Sequence, residues 1–190
     1  VDSGNVVEPL KDLYKDEVRQ IGSLLGLPDS IVWRHPFPGP GLAINVLSAR
    51  GDESFPNLEQ TSAEVSNCLK ESNCDFSILP VQSVGVQGDQ RTYTSPAALI
   101  NTPRDWDWLE KEATLLTNEV RNINRVVLQL DSNNNDLNAP YIIRGAFCSK
   151  ERLDLLREAD FMATQMLKEN GLMENIFQLL VILLPISKNG

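Results

Sequence analysis

The chain has 190 residues, with 17 lysines and arginines against 26 aspartates and glutamates and a formal net charge of −9. That length is enough to bury one core or the cores of two small lobes, and the acidic balance, with no basic stripe to offset it, argues against a nucleic-acid partner. Three cysteines, Cys68, Cys74 and Cys148, form neither an even disulfide set nor a metal-ligand spacing, so they read as small, partly buried apolar residues in a reducing cytoplasm.

The N-terminal residues Val1 to Asn5 carry no basic and apolar leader and read as a cut loop, with a short strand opening at Val6. Leu10, Leu13, Tyr14, Val18, Ile21, Leu24 and Leu25 then recur at helical spacing, with Pro9 near the start of the helix, Gly26 at its end and Pro28 forbidding its continuation. Arg34 to Gly41 holds three prolines and two glycines and reads as a rigid connector. Leu42 to Leu47 alternates and predicts a strand, and a helix follows over Leu58 to Lys70, with Leu58, Thr61, Val65, Cys68 and Leu69 on one face.

Phe76 to Val86 predicts a long apolar strand interrupted by Pro80, and the turn Gln87 to Gln90 with a strand at Arg91 to Thr94 completes a hairpin. Asp105 is an N-cap for a helix reaching Val120, with Trp108, Leu109, Leu115 and Leu116 on its apolar face. A strand at Val126 to Leu130, a solvated loop at Asp131 to Asn138 and a short strand over Ile142 to Phe147 follow. Ser149 caps a helix ending near Asn170 and Gly171. Phe177 to Ile186 closes the chain as a strand; its apolar run from Leu179 is too short to span a bilayer and contains Pro185, so no membrane partner is expected. Asn73 to Gly85 and Ile176 to Gly190 each center on a Leu-Pro step, a weak internal repeat. The architecture expected is α+β: a small mixed or antiparallel sheet with helices on one face, after a linker helix and before a partial second lobe.

His35 is the only histidine, so a histidine metal cluster is excluded and a structural hydrogen-bonding role outweighs a catalytic one. Pro38-Gly39-Pro40-Gly41 lacks the lysine and helix of a triphosphate loop. It reads either as a rigid hinge or as backbone that a planar base approaches closely, because glycine has no side chain there. The Gly88-Asp89-Gln90-Arg91 turn is either an ordinary polar turn or a ligand contact. In the second case Asp89 accepts from ribose hydroxyls and Arg91 meets a phosphate with its planar fork.

Glu8-Pro9-Leu10-Lys11, Lys15 to Arg19, Leu25-Gly26-Leu27-Pro28 and Arg34-His-Pro-Phe-Pro-Gly-Pro-Gly-Leu-Ala43 resemble the stretch that joins the ATP-pyrophosphatase domain of GMP synthases to their C-terminal dimerisation domain. Ser83-Val-Gly-Val-Gln-Gly-Asp-Gln-Arg-Thr-Tyr93 and Arg152 to Asp160 are similar to two further hallmarks, in an order that resembles the long, eukaryote-like form with tandem C-terminal lobes. The resemblance implies residues 1–33 as the end of the pyrophosphatase domain and linker helix, 34–140 as a first dimerisation-type lobe and 141–190 as the start of a truncated second lobe. The implied reaction is amination of xanthosine 5′-monophosphate (XMP) to GMP: ATP adenylates the purine 2-oxygen and ammonia from glutamine displaces AMP. Carried over by motif, Pro38, Gly39 and Pro40 line the base, Asp89 and Arg91 meet ribose and phosphate, and Gln178 lies near the pocket. The implied partners are XMP and the glutaminase and ATP-pyrophosphatase domains of the same chain.

The glutaminase cysteine, the Ser-Gly-Gly-Val-Asp-Ser loop, the His-His lid and the terminal Lys-Pro-Pro segment are not in the chain. It is therefore expected to hold no cofactor and to be inactive alone, with ATP and magnesium used elsewhere in the parent enzyme. Asn45 stands where the family usually has arginine. An incomplete second lobe would leave strand edges open and favour self-association.

Overall fold

The computed structural model describes residues 7–34, 39, 41–55, 57–72, 74–87, 90–130, 141–176 and 178–188. Two compact units emerge, one from Val1–Gly41 and Ala159–Val181, the other from Leu42–Glu158 and Ile182–Gly190. The fold is α+β, with small sheets of two and three strands and no barrel among the described residues.

In the first unit, α1 (Lys15–Leu24) begins later than its apolar spacing suggests, because turns closed by Lys11 N to Glu8 O and Leu13 N to Leu10 O occupy the residues before it. Its first turn is held by the Glu17 carboxylate, which accepts from the Tyr14 N–H at 2.8 Å. Its end matches the expectation at Gly26. That residue adopts φ +77°, Leu27 N donates to Gly22 O and Gly26 N to Ser23 O, the two bonds that satisfy the last carbonyls of a helix. A four-residue helix α2 (Asp29–Val32), too short to show a period, packs Val32 against Gly22. The same terminating pattern recurs at Gly171, after α5 (Lys150–Glu169), a helix divided between the two units.

Leu42 to Leu47 is not a strand. Gly41 (φ +81°) turns the chain into a 3₁₀ turn over Leu42–Asn45, and only Val46 pairs, through an isolated parallel bridge to Leu183. The apparent alternation fails because Asn45 is buried while Ile44 is half-exposed. Helix α3 (Leu58–Cys68) forms as expected and buries Thr61 and Val65.

The main sheet of the second unit runs β1–β4–β5. Strand β1 (Asp75–Ile78) is shorter than predicted, since the chain leaves the sheet at Leu79 and Pro80 before β2 (Ser83–Gln87). β2 pairs antiparallel with β3 (Gln90–Thr94), Gln87 opposite Gln90, so the predicted hairpin is present; Gly88 and Asp89 lie outside the described residues. β4 (Ala97–Ile100) pairs antiparallel with β1 and parallel with β5 (Val126–Leu128), and a parallel neighbour requires a crossover, which α4 (Trp106–Glu119) supplies. Asp105 caps α4 as expected, accepting from Asp107 N at 3.0 Å and Trp108 N at 3.2 Å.

Every residue of β4 is buried. Ala97 and Leu99 face a core built with Val65, Leu69, Leu109 and Leu116 from the two helices and their caps, whereas Ala98 faces a second cluster with Leu79 and Val81. The second cluster is closed by Tyr141, Leu184 and Ile186, from or beside the antiparallel pair β6 (Tyr141–Ile143) and β7 (Ile186–Lys188). Helices therefore cover one face of the main sheet. The strand predicted over Phe177 to Ile186 is confined to the Leu183 bridge and β7, and the loop expected at Asp131 to Asn138 lies outside the described residues.

Candidate functional site

Arg91 stands on β3 opposite Val86, exposed to solvent. Strand pleating sends Arg91 and Tyr93 to one face of the hairpin and Thr92 and Thr94 to the other. The β2–β3 hairpin pairs with no strand of the main sheet among the described residues, so its position is set by side chains. The Asn124 carboxamide, in the segment leading into β5, donates from Nδ2 to Ser83 O at 2.8 Å, Thr92 O at 3.3 Å and Thr92 Oγ1 at 3.1 Å. Its Oδ1 accepts from Ser83 Oγ at 2.7 Å. Arg125 Nη2 adds a bond to Val84 O at 3.2 Å.

Gly85 is the reason Asn124 reaches this far in. A Cβ at residue 85 would stand 2.6 Å from the Asn124 Cβ, which no pair of carbons tolerates. A glycine inside a strand signals a close approach of this kind, yet nothing in the sequence names the partner, 41 residues from Ser83 in the chain.

Beside the root of the hairpin lies a cavity of about 150 Å³, lined among others by Phe55, Asn57, Thr61, Tyr93, Thr94 and Asn122. Its hydroxyls and amides are uncharged, and Thr94 Oγ1 is buried with no hydrogen-bond partner among the described residues. The hairpin thus offers a cation on one face and neutral polar groups at its root.

Of the residues expected to hold a ligand, Pro38, Pro40 and Asp89 lie outside the described residues. Gly39 is an exposed turn residue and Gln178 is exposed, both in the first unit; Arg91 belongs to the second. Among the described residues no group of three or more His, Cys, Asp or Glu side chains is placed to hold a metal ion, and no helix is long and apolar enough to cross a membrane.

No family model matches the chain. A probable GMP synthase (glutamine-hydrolyzing) of Leptospira interrogans is 40% identical over 190 residues, an alignment that covers 99% of this chain and 30% of the relative. The GMP synthases (glutamine-hydrolyzing) of Prochlorococcus marinus and Halothermothrix orenii are 44% and 42% identical over 145 residues, each covering 67% of this chain and 28% of the relative. Homologues named GMP synthase cover this chain. The chain spans less than a third of the length of these curated relatives.

Proposed function

We propose that the chain is the acceptor-nucleotide-binding part of a GMP synthase, from the C-terminal region of the long form with tandem lobes, and that it holds XMP while the rest of the enzyme supplies ammonia and adenylates the base with ATP and magnesium. One observation carries the reading: Arg91 is an exposed guanidinium on a hairpin anchored by Asn124 and Arg125. A phosphate dianion is well matched by such a planar, permanently charged fork. Asp89, two residues before it in the sequence, is assigned the ribose hydroxyls, Pro38, Gly39 and Pro40 the base, and Gln178 the rim of the pocket. The long form is supported by the alignment to the Leptospira relative, which covers 99% of the chain where the other two cover 67%.

Isothermal titration of XMP into the chain tests the reading. Wild type binds and Arg91→Ala weakens binding about tenfold or more, the loss expected for one charged hydrogen-bonding partner. Equal binding by both refutes the role of Arg91.

A second reading, an assembly module with no ligand contact, is favoured by the first unit, where Leu24 and Leu25 are 87% and 75% exposed and Trp33, Phe161 and Met166 are also largely open. Apolar surface of this kind is commonly covered by another protein body. Wild-type silence at millimolar XMP, with concentration-dependent association by light scattering, would favour this second reading.

A further inference from the structure

We propose that Asn124 is a positioning residue for the nucleotide phosphate, holding the β2–β3 hairpin so that Arg91 is presented from a fixed face. The proposal rests on the assignment of Arg91 to that phosphate. A two-stranded hairpin without a third strand is marginal in water, and this one gains no strand partner from the main sheet among the described residues. One carboxamide replaces that partner. Asn124 bonds β2 through the carbonyl and hydroxyl of Ser83 and β3 through the carbonyl and hydroxyl of Thr92, satisfying its donor and acceptor ends together.

The anchor is itself rigid, because the Arg125 carbonyl accepts from Ala97 N at 2.9 Å and thereby ties the next residue to the buried central strand. Asn124 grips the face that carries Ser83, Gly85 and Thr92. Pleating puts Arg91 on the opposite face, so the grip does not compete with a ligand. The missing Cβ at Gly85 and the amide opposite it form one fitted contact: a larger residue at 85 would push Asn124 out, and a residue without the amide would leave Ser83 O and Thr92 O without this donor.

Asn124→Asp keeps the size but removes the Nδ2–H donors and sets a carboxylate against two carbonyl oxygens. The test titrates XMP and xanthine, the free base that lacks both the ribose and the phosphate assigned to the hairpin, into wild type, Asn124→Asp, Ser83→Ala and Arg91→Met, with hydrogen exchange of the hairpin amides. Asn124→Asp is expected to lose about tenfold in XMP affinity and to speed exchange in β2 and β3, while xanthine affinity stays within about twofold. Ser83→Ala, which removes one bond of the network, is expected to lose about threefold and decides the matter if Asn124→Asp fails to fold by circular dichroism. If Arg91→Met weakens XMP but the Asn124 and Ser83 variants do not, or if xanthine is lost in parallel with XMP, the positioning role is overturned and the proposed function stands. If Arg91→Met itself binds XMP like wild type, the assignment of the phosphate falls and this role falls with it.

Discussion

Arg152 stitches three separated segments of the second unit, and its removal has a magnitude that the geometry decides. Its Nη1 donates to Leu47 O at 2.9 Å and Phe147 O at 3.2 Å, and its Nη2 to Leu183 O at 3.5 Å. The Phe147 bond is exposed, so water replaces it at little cost, and the Leu183 bond is at the limit of useful length. The Leu47 bond, short and partly buried, therefore dominates, and a hydrogen bond to a charged group contributes about 1.5–3 kcal/mol. Arg152→Met keeps most of the apolar stem and deletes the donors. For a chain of this size each kcal/mol moves Tm by about 2–4 °C, so the variant should melt about 3–12 °C lower. Arg152→Lys should recover part of the loss, because an ammonium reaches one carbonyl but cannot span the fork. Urea denaturation gives the same comparison through its midpoint at constant slope. A melting temperature for Arg152→Met within about 1 °C of wild type, below the smallest shift expected here, would refute the claim that this guanidinium fastens the segments around the Val46–Leu183 bridge.

Leu116→Ala, at a fully buried position between α4 and the main sheet, should cost about 2–5 kcal/mol by denaturant titration, because the cavity it leaves is walled by close-packed neighbours. Asp105→Ala should cost about 1 kcal/mol through loss of the α4 cap, and Asp105→Asn, which keeps the acceptor, should restore most of it. Burial pushes the Cys68 thiol up, with Glu119 and Glu64 adding to it, and burial followed by the Glu112 and Asp75 carboxylates does the same for Cys74, whereas Cys148 is exposed. Iodoacetamide should therefore label Cys148 first at mildly alkaline pH, read by peptide mass spectrometry. Because both partly buried thiols hold their protons more tightly folded than unfolded, their contribution to stability is complete below the ordinary thiol pKa and falls as pH rises through the raised values.

The parts of the fold that were legible carry their own local chemistry. Asp105 before an apolar helical face, Gly26 and Gly171 after one, and Gly88-Asp89 between two β-rich runs each favour a cap or turn whatever surrounds them. The parts that were not legible depend on partners far along the chain. Leu42 to Leu47 alternates like a strand, but among the described residues no strand lies alongside except at Val46, and the segment winds into a 3₁₀ turn. Ala97 to Ile100 shows no alternation because both its faces are covered, and four small or medium residues do not announce a central strand. Within the candidate site, Arg91 stands out as a cation beside a tight turn, while Asn124 is one polar residue among several between a helix and a strand and carries no local signal of its own. Its bonds to Thr92, 32 residues earlier, exist only in the folded chain.

Phosphorus NMR reports directly on whether Arg91 receives a nucleotide phosphate. The ³¹P resonance of XMP should broaden and shift when the wild-type chain is added and remain at its free position with the Arg91→Met variant. The same perturbation with both proteins would contradict the account.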